Sequence, residues 1–260
     1  MSLYFCSSDI HSFYDDWIVA LKNKNFDINN KEHKIIICGD LFDRGTQSVE
    51  CFEFIKSLKD QNRLIYIRGN HEDLLENCLK ELKRGRNIGS HHVSNGTIRT
   101  ISHFLNCSEY DVFCNVTTYK DLQKMDSLIE FIDSTSMDYY ELGDKIFVHG
   151  WIPTTVTSET DHTACVAETW QEGDWERARW DNGMEMAHFR LTVPDKTVVC
   201  GHWHTSWGHS RYHKNGDEWG VASADFSPYR DKGIIAIDAC TAYTRCVNVV
   251  VFDENGNEVN

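Results

Sequence analysis

Lys34-Ile35-Ile36-Ile37-Cys38-Gly39-Asp40-Leu41-Phe42-Asp43-Arg44-Gly45 decides how the rest of the chain is read. Its first five residues, Lys34–Cys38, make a short run that is apolar from Ile35 on, rich in β-branched Ile and too short for a helix, so they predict a buried strand that ends at Gly39-Asp40. The pattern repeats on either side. Leu3–Ser7 and Leu64–Ile67 read as strands. Phe13–Lys22, Ser48–Leu58 and His71–Leu82 have helical spacing, for example Val49, Phe52, Ile55 and Leu58. Strand and helix alternating in this way predict parallel strands joined by right-handed crossovers, with a ligand site beyond the carboxyl ends of the strands.

Working outward, Lys83–Ser136 is polar, rich in Asn and Ser, and reads as a helical insertion at about 83–136. Tyr139–Leu142 and Lys145–Val148 predict a hairpin turning at Gly143-Asp144. A loop with Trp170, Trp175 and Trp180 follows, then a strand at Thr197–Cys200. Ile234–Asp238 and Arg245–Phe252 are expected to close a second mixed sheet. The expected fold class is α/β, with two mixed sheets in a central sandwich flanked by helices, as one domain over 1–260.

The composition fits a globular chain: 260 residues, 41% apolar, 25% charged, 3 Pro and 16 Gly. Forty acids against 26 bases give a net charge of -14, which argues against a stable nucleic-acid partner. No stretch approaches the ~20 apolar residues of a membrane span, and the opening residues do not read as a secretory leader. None of the ten cysteines forms a CxxC pair, and several sit in apolar runs. Free thiols in a reducing cytoplasm are therefore expected.

Five segments follow strands: Asp9-Ile10-His11, Gly39 to Gly45, Arg68-Gly69-Asn70-His71-Glu72, Val148-His149-Gly150 and Gly201-His202-Trp203-His204. Asp9 and His11 are two apart at a strand end, so both can aim at one ion. Asp40 can bridge, Asn70 offers a carbonyl oxygen, and His149 and His202 offer imidazole. Such a mixed oxygen and nitrogen set with a shared carboxylate suits two metal ions.

In these five segments the chain resembles the calcineurin-like metallophosphoesterases. Within them it resembles the phosphoprotein-phosphatase branch, which includes bacterial and phage protein phosphatases and symmetrical diadenosine tetraphosphate hydrolases. The branch pattern D-x-H, G-D-x-x-D-R-G, G-N-H-E, H-G, G-H appears here in order, from Leu3 to Phe252. The resemblance implies a first metal on Asp9, His11 and Asp40, and a second on Asp40, Asn70, His149 and His202. It implies His71 as proton donor, held by Asp43, and Arg44 as a phosphate-binding residue. Arg68 matches the Arg before G-N-H-E, as a phosphate ligand or equally as an ion-pair partner of an acidic neighbour. Arg179, after which Trp180 follows, is the candidate for a further phosphate-binding arginine. His204 is a candidate ligand of the first metal, because the second His of G-H-x-H takes that place in many of these enzymes. The alternative is that His204 only hydrogen-bonds a ligand.

The chain departs from the pattern at Ser8 and Ser12, where glycines are usual, and at Trp151, where a second glycine is usual. Asn95-Gly96-Thr97 and Ile237-Asp238 echo segments near the site in bacterial relatives. His91-His92 reads as a solvated loop, and most of the tryptophans as packing. The expected activity is hydrolysis of phosphate monoesters, first of all phosphoserine or phosphothreonine of proteins, by hydroxide bridging two ions. Manganese is the first expectation for the metals, with Fe or Zn also suited. A dinucleoside polyphosphate hydrolase and a non-catalytic phosphopeptide-binding protein are the alternatives.

Overall fold

The computed structural model describes residues 2–156, 164–220 and 222–259. The first third is β1 (Leu3–Ser7), α1 (Tyr14–Asn23), β2 (His33–Cys38), α2 (Ser48–Asp60), β3 (Leu64–Ile67) and α3 (Asn70–Lys83). Short helices follow: α4 (Ser90–Ser94), α5 (Thr97–Leu105), α6 (Glu109–Phe113), α7 (Tyr119–Leu122) and α8 (Asp126–Thr135). Next come β4 (Ser136–Met137), β5 (Tyr140–Leu142), β6 (Lys145–Phe147), β7 (Thr154–Val156), β8 (Ala164–Val166), α9 (Glu172–Ala178) and α10 (Gly183–His188). The chain ends with β9 (Thr197–Cys200), α11 (Thr205–Gly208), β10 (Tyr229–Asp231), β11 (Ile234–Ala236), α12 (Thr241–Thr244), β12 (Val250–Asp253) and β13 (Glu258–Val259).

Two mixed sheets form the centre. One has the order β13-β12-β1-β2-β3-β4, the other β10-β11-β9-β6-β5. β1 to β4 run parallel, as do β6, β9 and β11, so both sets of carboxyl ends meet on one rim. The two-residue side-chain period explains the layers. Tyr4, Cys6, Ile36, Cys38, Phe147, Val199, Ile235 and Phe252 fill the space between the sheets. Their neighbours Phe5, Ile35 and Ile37 point to the helices of the first sheet, and Ile146, Val148 and Val198 to the outer face of the second. Strands buried on both faces need continuous apolar runs, which β2 has.

The end of the chain differs from expectation. Only Ile234–Ala236 joins the second sheet. Asp238 to Cys240 leave it toward the rim, and the predicted strand start at Arg245 lies beyond helix α12. Cys240 and Arg245 flank that helix in left-handed conformations, which ends extended structure there. The last long strand then pairs antiparallel with β1, Leu3 opposite Asp253, and closes the first sheet rather than the second. Val250 and Phe252 face the inter-sheet layer and Val249 and Val251 the helices, so burial on both sides draws the strand to this place. In the segment read as loop, β7 and β8 pair antiparallel, Thr154 opposite Val166. The predicted β5–β6 hairpin forms, with Leu142 opposite Lys145.

Phe147 and Phe252 meet edge to face across the two sheets, ring centroids 5.2 Å apart, both fully buried. Phe252→Ala is expected to destabilise the fold by about 3–5 kcal/mol through lost burial and a cavity. Urea unfolding checks this: the midpoint should fall with the slope unchanged, and a loss under ~1 kcal/mol would show that this contact does not join the sheets.

Candidate active site

Asp9 and His11 follow β1, Asp40 follows β2, Asn70 opens α3 after β3, His149 follows β6 and His202 follows β9. The meeting of the two sheets therefore brings together donors up to 193 residues apart: the His202 amide N–H donates to Asp9 Oδ2 at 2.9 Å. Asp9, His11, Asp40, Asp43, Arg44 and His202 all adopt left-handed backbone, with φ between 50° and 73°. Non-glycine residues in this region cost of order 1 kcal/mol or more each, so surrounding structure must hold them. Glu72 supplies part of that hold: its buried carboxylate accepts the N–H groups of Asp40 (3.0 Å), Leu41 (3.0 Å) and Gly69 (2.8 Å). Close packing does the rest. At Gly39, φ is +78° and a Cβ would overlap the His149 ring; at Gly201 it would overlap Ser8 and Asp9.

The donors fit two cations around Asp40. His11 donates Nδ1–H to the Phe42 carbonyl (2.9 Å), and its Nε2 lies 3.9 Å from Asp40 Oδ2. His149 donates Nδ1–H to the Cys38 carbonyl (2.8 Å), which leaves a neutral ring only a lone pair at Nε2. That lone pair faces Asn70 Oδ1 at 2.7 Å and Asp40 Oδ1 at 3.3 Å. Three acceptors turned on one another require a shared cation, or else a proton. Without a metal, burial opposes the charge on His149, but Asp40 and then Asp9 outweigh it and push its pKa up to about 10. Burial also works against the Asp40 charge, yet His149 and His71 hold its carboxyl well below the usual range. His202 behaves oppositely, lowered to about 3 by burial and by the His149 charge. Burial first, and the Asp40 charge after it, push Asp9 up to about 6. The ligand atoms of Asp40, His149 and His202 lie within 4.8 Å of one another, as do those of His11, Asp40 and His71.

His71 stands apart within this cluster. Its Nδ1–H donates to Asp43 Oδ2 at 2.8 Å, and its Nε2 faces Arg44 Nη2 at 3.3 Å. Asp43 is in turn fixed by the hydroxyls of Thr97 (2.9 Å) and Thr100 (2.8 Å) on α5. Burial lowers the His71 pKa, but Asp40 and Asp43 raise it more, so it lies above the ordinary imidazole value. Arg44 lines the same cavity of about 110 Å³, with Trp180, Asp238 and Cys240 on its wall.

Three expected site residues are elsewhere. Arg68 gives its donors to Asp73 (2.6 Å), Glu76 (2.7 Å) and Asp133 (2.7 Å). Arg179 pairs with Asp73 (2.7 Å) and Asp138 (2.5 Å). Both line a separate cleft, where carboxylates consume the forks a phosphate would need. His204 turns its Nδ1 to Ser206 Oγ (2.9 Å) and its Nε2 toward Glu218 (3.6 Å), away from the other candidate donors. The reason is that His202 has a left-handed backbone (φ 66°) and the chain bends through His202 and Trp203, so the two-residue alternation is broken before His204 is reached. His92 is buried against His91, not solvated. Glu72, Thr97 and Thr100 carry structural roles that single residues in a sequence do not announce; Glu72 and Thr97 were visible only as parts of quoted motifs. Ser12, where a glycine is usual, has φ 60° and a buried hydroxyl on Ser48 (2.9 Å). Ser8 gives its hydroxyl to Asp9.

A sandwich of two mixed sheets with its site on the joined carboxyl rim is the fold of the metallophosphoesterases. The chain belongs to the calcineurin-like phosphoesterase family, whose sequence profile it matches over residues 4–206. It is 39% identical over 72 residues to a symmetrical bis(5'-nucleosyl)-tetraphosphatase of Buchnera aphidicola subsp. Acyrthosiphon pisum. It is 30% identical over 83 residues to an asymmetrical bis(5'-nucleosyl)-tetraphosphatase of Bacillus velezensis. Those stretches cover 28% and 30% of this chain and 24% and 33% of the relatives' length. The crystal structure of a cold-active protein-tyrosine phosphatase of a psychrophilic Shewanella superposes with a TM-score of 0.50. That match has 15% identity and covers 100% of this chain and 80% of the other, a likeness of fold.

Asp9 must lose its proton, and His149 its extra one, before either holds a cation. Affinity of the metal-free protein for Mn²⁺ is therefore expected to rise from pH 5 to pH 7, through the Asp9 value near 6, with protons released on binding. Calorimetry in buffers of different ionisation enthalpy measures both. Flat affinity with no proton release would remove Asp9 and His149 from the ligand set.

Proposed function

We propose that the chain is a metal-dependent phosphoester hydrolase and that its substrate is a dinucleoside polyphosphate. The observation that carries the hydrolase reading is Asp40, shared by two donor groups and facing Arg44 and the His71–Asp43 pair across one cavity. The names of the Buchnera and Bacillus relatives support the substrate. The whole of 1–260 would act as one domain, with the segment about 83–136 inserted; β12 pairing with β1, and β11 with β9, supports including the end of the chain. Ten free cysteines support a reducing, cytoplasmic setting. Among the described residues no helix is long and apolar enough to cross a membrane.

Asp9, His11 and Asp40 would hold one ion, and Asp40, Asn70, His149 and His202 the other. Two such cations supply Lewis acidity and lower the pKa of water, and a mixed set of this kind suits Mn, Fe or Zn. The remaining chemistry belongs to the protein. Arg44 binds equatorial phosphate oxygens and offsets their growing charge. In the free protein the Arg44 cation beside Nε2 opposes protonation of His71. A phosphate that takes up Arg44 removes this opposition, and Nε2 then carries the proton toward the leaving oxygen. Asp43, fixed by Thr97 and Thr100, keeps the ring turned and stabilises its charge.

A phosphoserine or phosphothreonine protein is the second reading. A built acid matters most for an alkoxide leaving group, and the tightly held His71–Asp43 pair favours such a substrate. Turnover of diadenosine tetraphosphate and of a phosphopeptide, each with Mn²⁺ and with chelator, separates the readings. Metal-dependent cleavage of the dinucleotide at the higher kcat/KM supports the first, and preference for the phosphopeptide supports the second. Full turnover in chelator, with metal content nil, would overturn both.

His71→Asn is expected to lower kcat on an alkyl phosphate by about 10²- to 10⁴-fold, with metal content near wild type. The loss on para-nitrophenyl phosphate should be much smaller, because that group leaves without a proton. Equal losses on the two substrates would show that His71 is not the acid.

A further inference from the structure

The cavity wall formed by Cys240, Thr241 and Ala242 runs directly into an exposed aromatic cluster. Tyr243, the next residue, is 47% exposed, and its ring meets Trp219 edge to face at 5.6 Å. Trp219 is 51% exposed. One side of its indole is backed by His204, with centroids 4.3 Å apart, and Phe226 packs against both His204 and Tyr243. His204 is itself pinned by Ser206, whose hydroxyl donates to the Glu218 carbonyl at 2.7 Å. An indole backed on one side and half open is a rigid stacking surface, not packing for a core. It begins one residue beyond the phosphate cavity.

We infer that the open part of the Trp219 indole, with Tyr243 set nearly perpendicular beside it, is a platform on which a nucleobase of the substrate stacks while its phosphates occupy the cavity beside Arg44. This rests on the reading of the cavity as a phosphate site. The occupant is a base for two reasons. An aromatic face accepts any flat π-system with little ordering cost. The platform also continues the wall of an anion-binding cavity, as a nucleotide continues its phosphate. The Glu218 carboxylate beside His204 adds an acceptor for an amino group on the edge of a base. His204, in this view, is a positioning residue for Trp219.

The test compares AMP with ribose 5-phosphate, which differ only by the base, in calorimetric titrations of the Mn²⁺-loaded protein. Stacking is worth ~1–3 kcal/mol per base, so AMP should bind about 5- to 140-fold more tightly. In Trp219→Ala that ratio should collapse to under ~3-fold, whereas Trp219→Phe should keep most of it. A wild-type ratio near one, or a ratio unchanged in Trp219→Ala, would overturn the platform while leaving the phosphate site standing. If neither ligand binds the wild type, the phosphate reading itself fails, and the platform with it.

Discussion

The carboxylate of Asp40 is almost wholly buried, and every other part of the site is arranged around it. One oxygen lies 3.3 Å from His149 Nε2 and accepts the His71 amide N–H at 3.0 Å; the other lies 3.9 Å from His11 and 3.8 Å from His71. A buried charge of this kind is tolerated only where cations or donors surround it. The two sheets supply them from opposite sides. β1, β2 and β3 bring Asp9, His11, Asp40 and Asn70, and β6 and β9 bring His149 and His202. The inter-sheet layer holds the two halves of the site at ligand distance. Cys38, in that layer, also accepts the His149 ring proton through its carbonyl, so packing and chemistry meet in one residue.

The price of this convergence is local backbone strain. Six candidate site residues have positive φ, and the chain turns sharply after each strand. Glu72 offsets the strain by binding three backbone N–H groups of the Gly39–Leu41 and Gly69 turns. At Asp43, Thr100 of α5 accepts the backbone N–H at 3.0 Å, and the hydroxyls of Thr97 and Thr100 hold the carboxylate. The short helices between α3 and β4 therefore support the His71–Asp43 pair as well as covering the sheet.

The alternation of strand and helix was legible because β2 and its neighbours are short β-branched runs ending in glycine or a polar turn. The candidate metal donors were legible because each follows such a run. What was not legible depended on where side chains point after a strand ends. His204 shares the two-residue spacing with His202, but the left-handed backbone of His202 breaks the extended period between them. Arg179 looked available in sequence and Arg68 could be read as a phosphate ligand or an ion-pair partner; Asp73, which lies on α3, takes one hydrogen bond from each. The placement of β12 in the first sheet, beside β1, was likewise a matter of which layer lacked apolar cover, which no local pattern states.

Asp40 as the shared ligand of two ions is the central claim, and metal stoichiometry measures it most directly. Wild-type protein and Asp40→Asn, loaded with Mn²⁺, desalted and analysed by elemental mass spectrometry beside a circular dichroism spectrum, give the comparison. The account predicts two ions per wild-type chain and loss of both from a folded Asp40→Asn. Two ions retained by the variant, or one ion in the wild type, would contradict it.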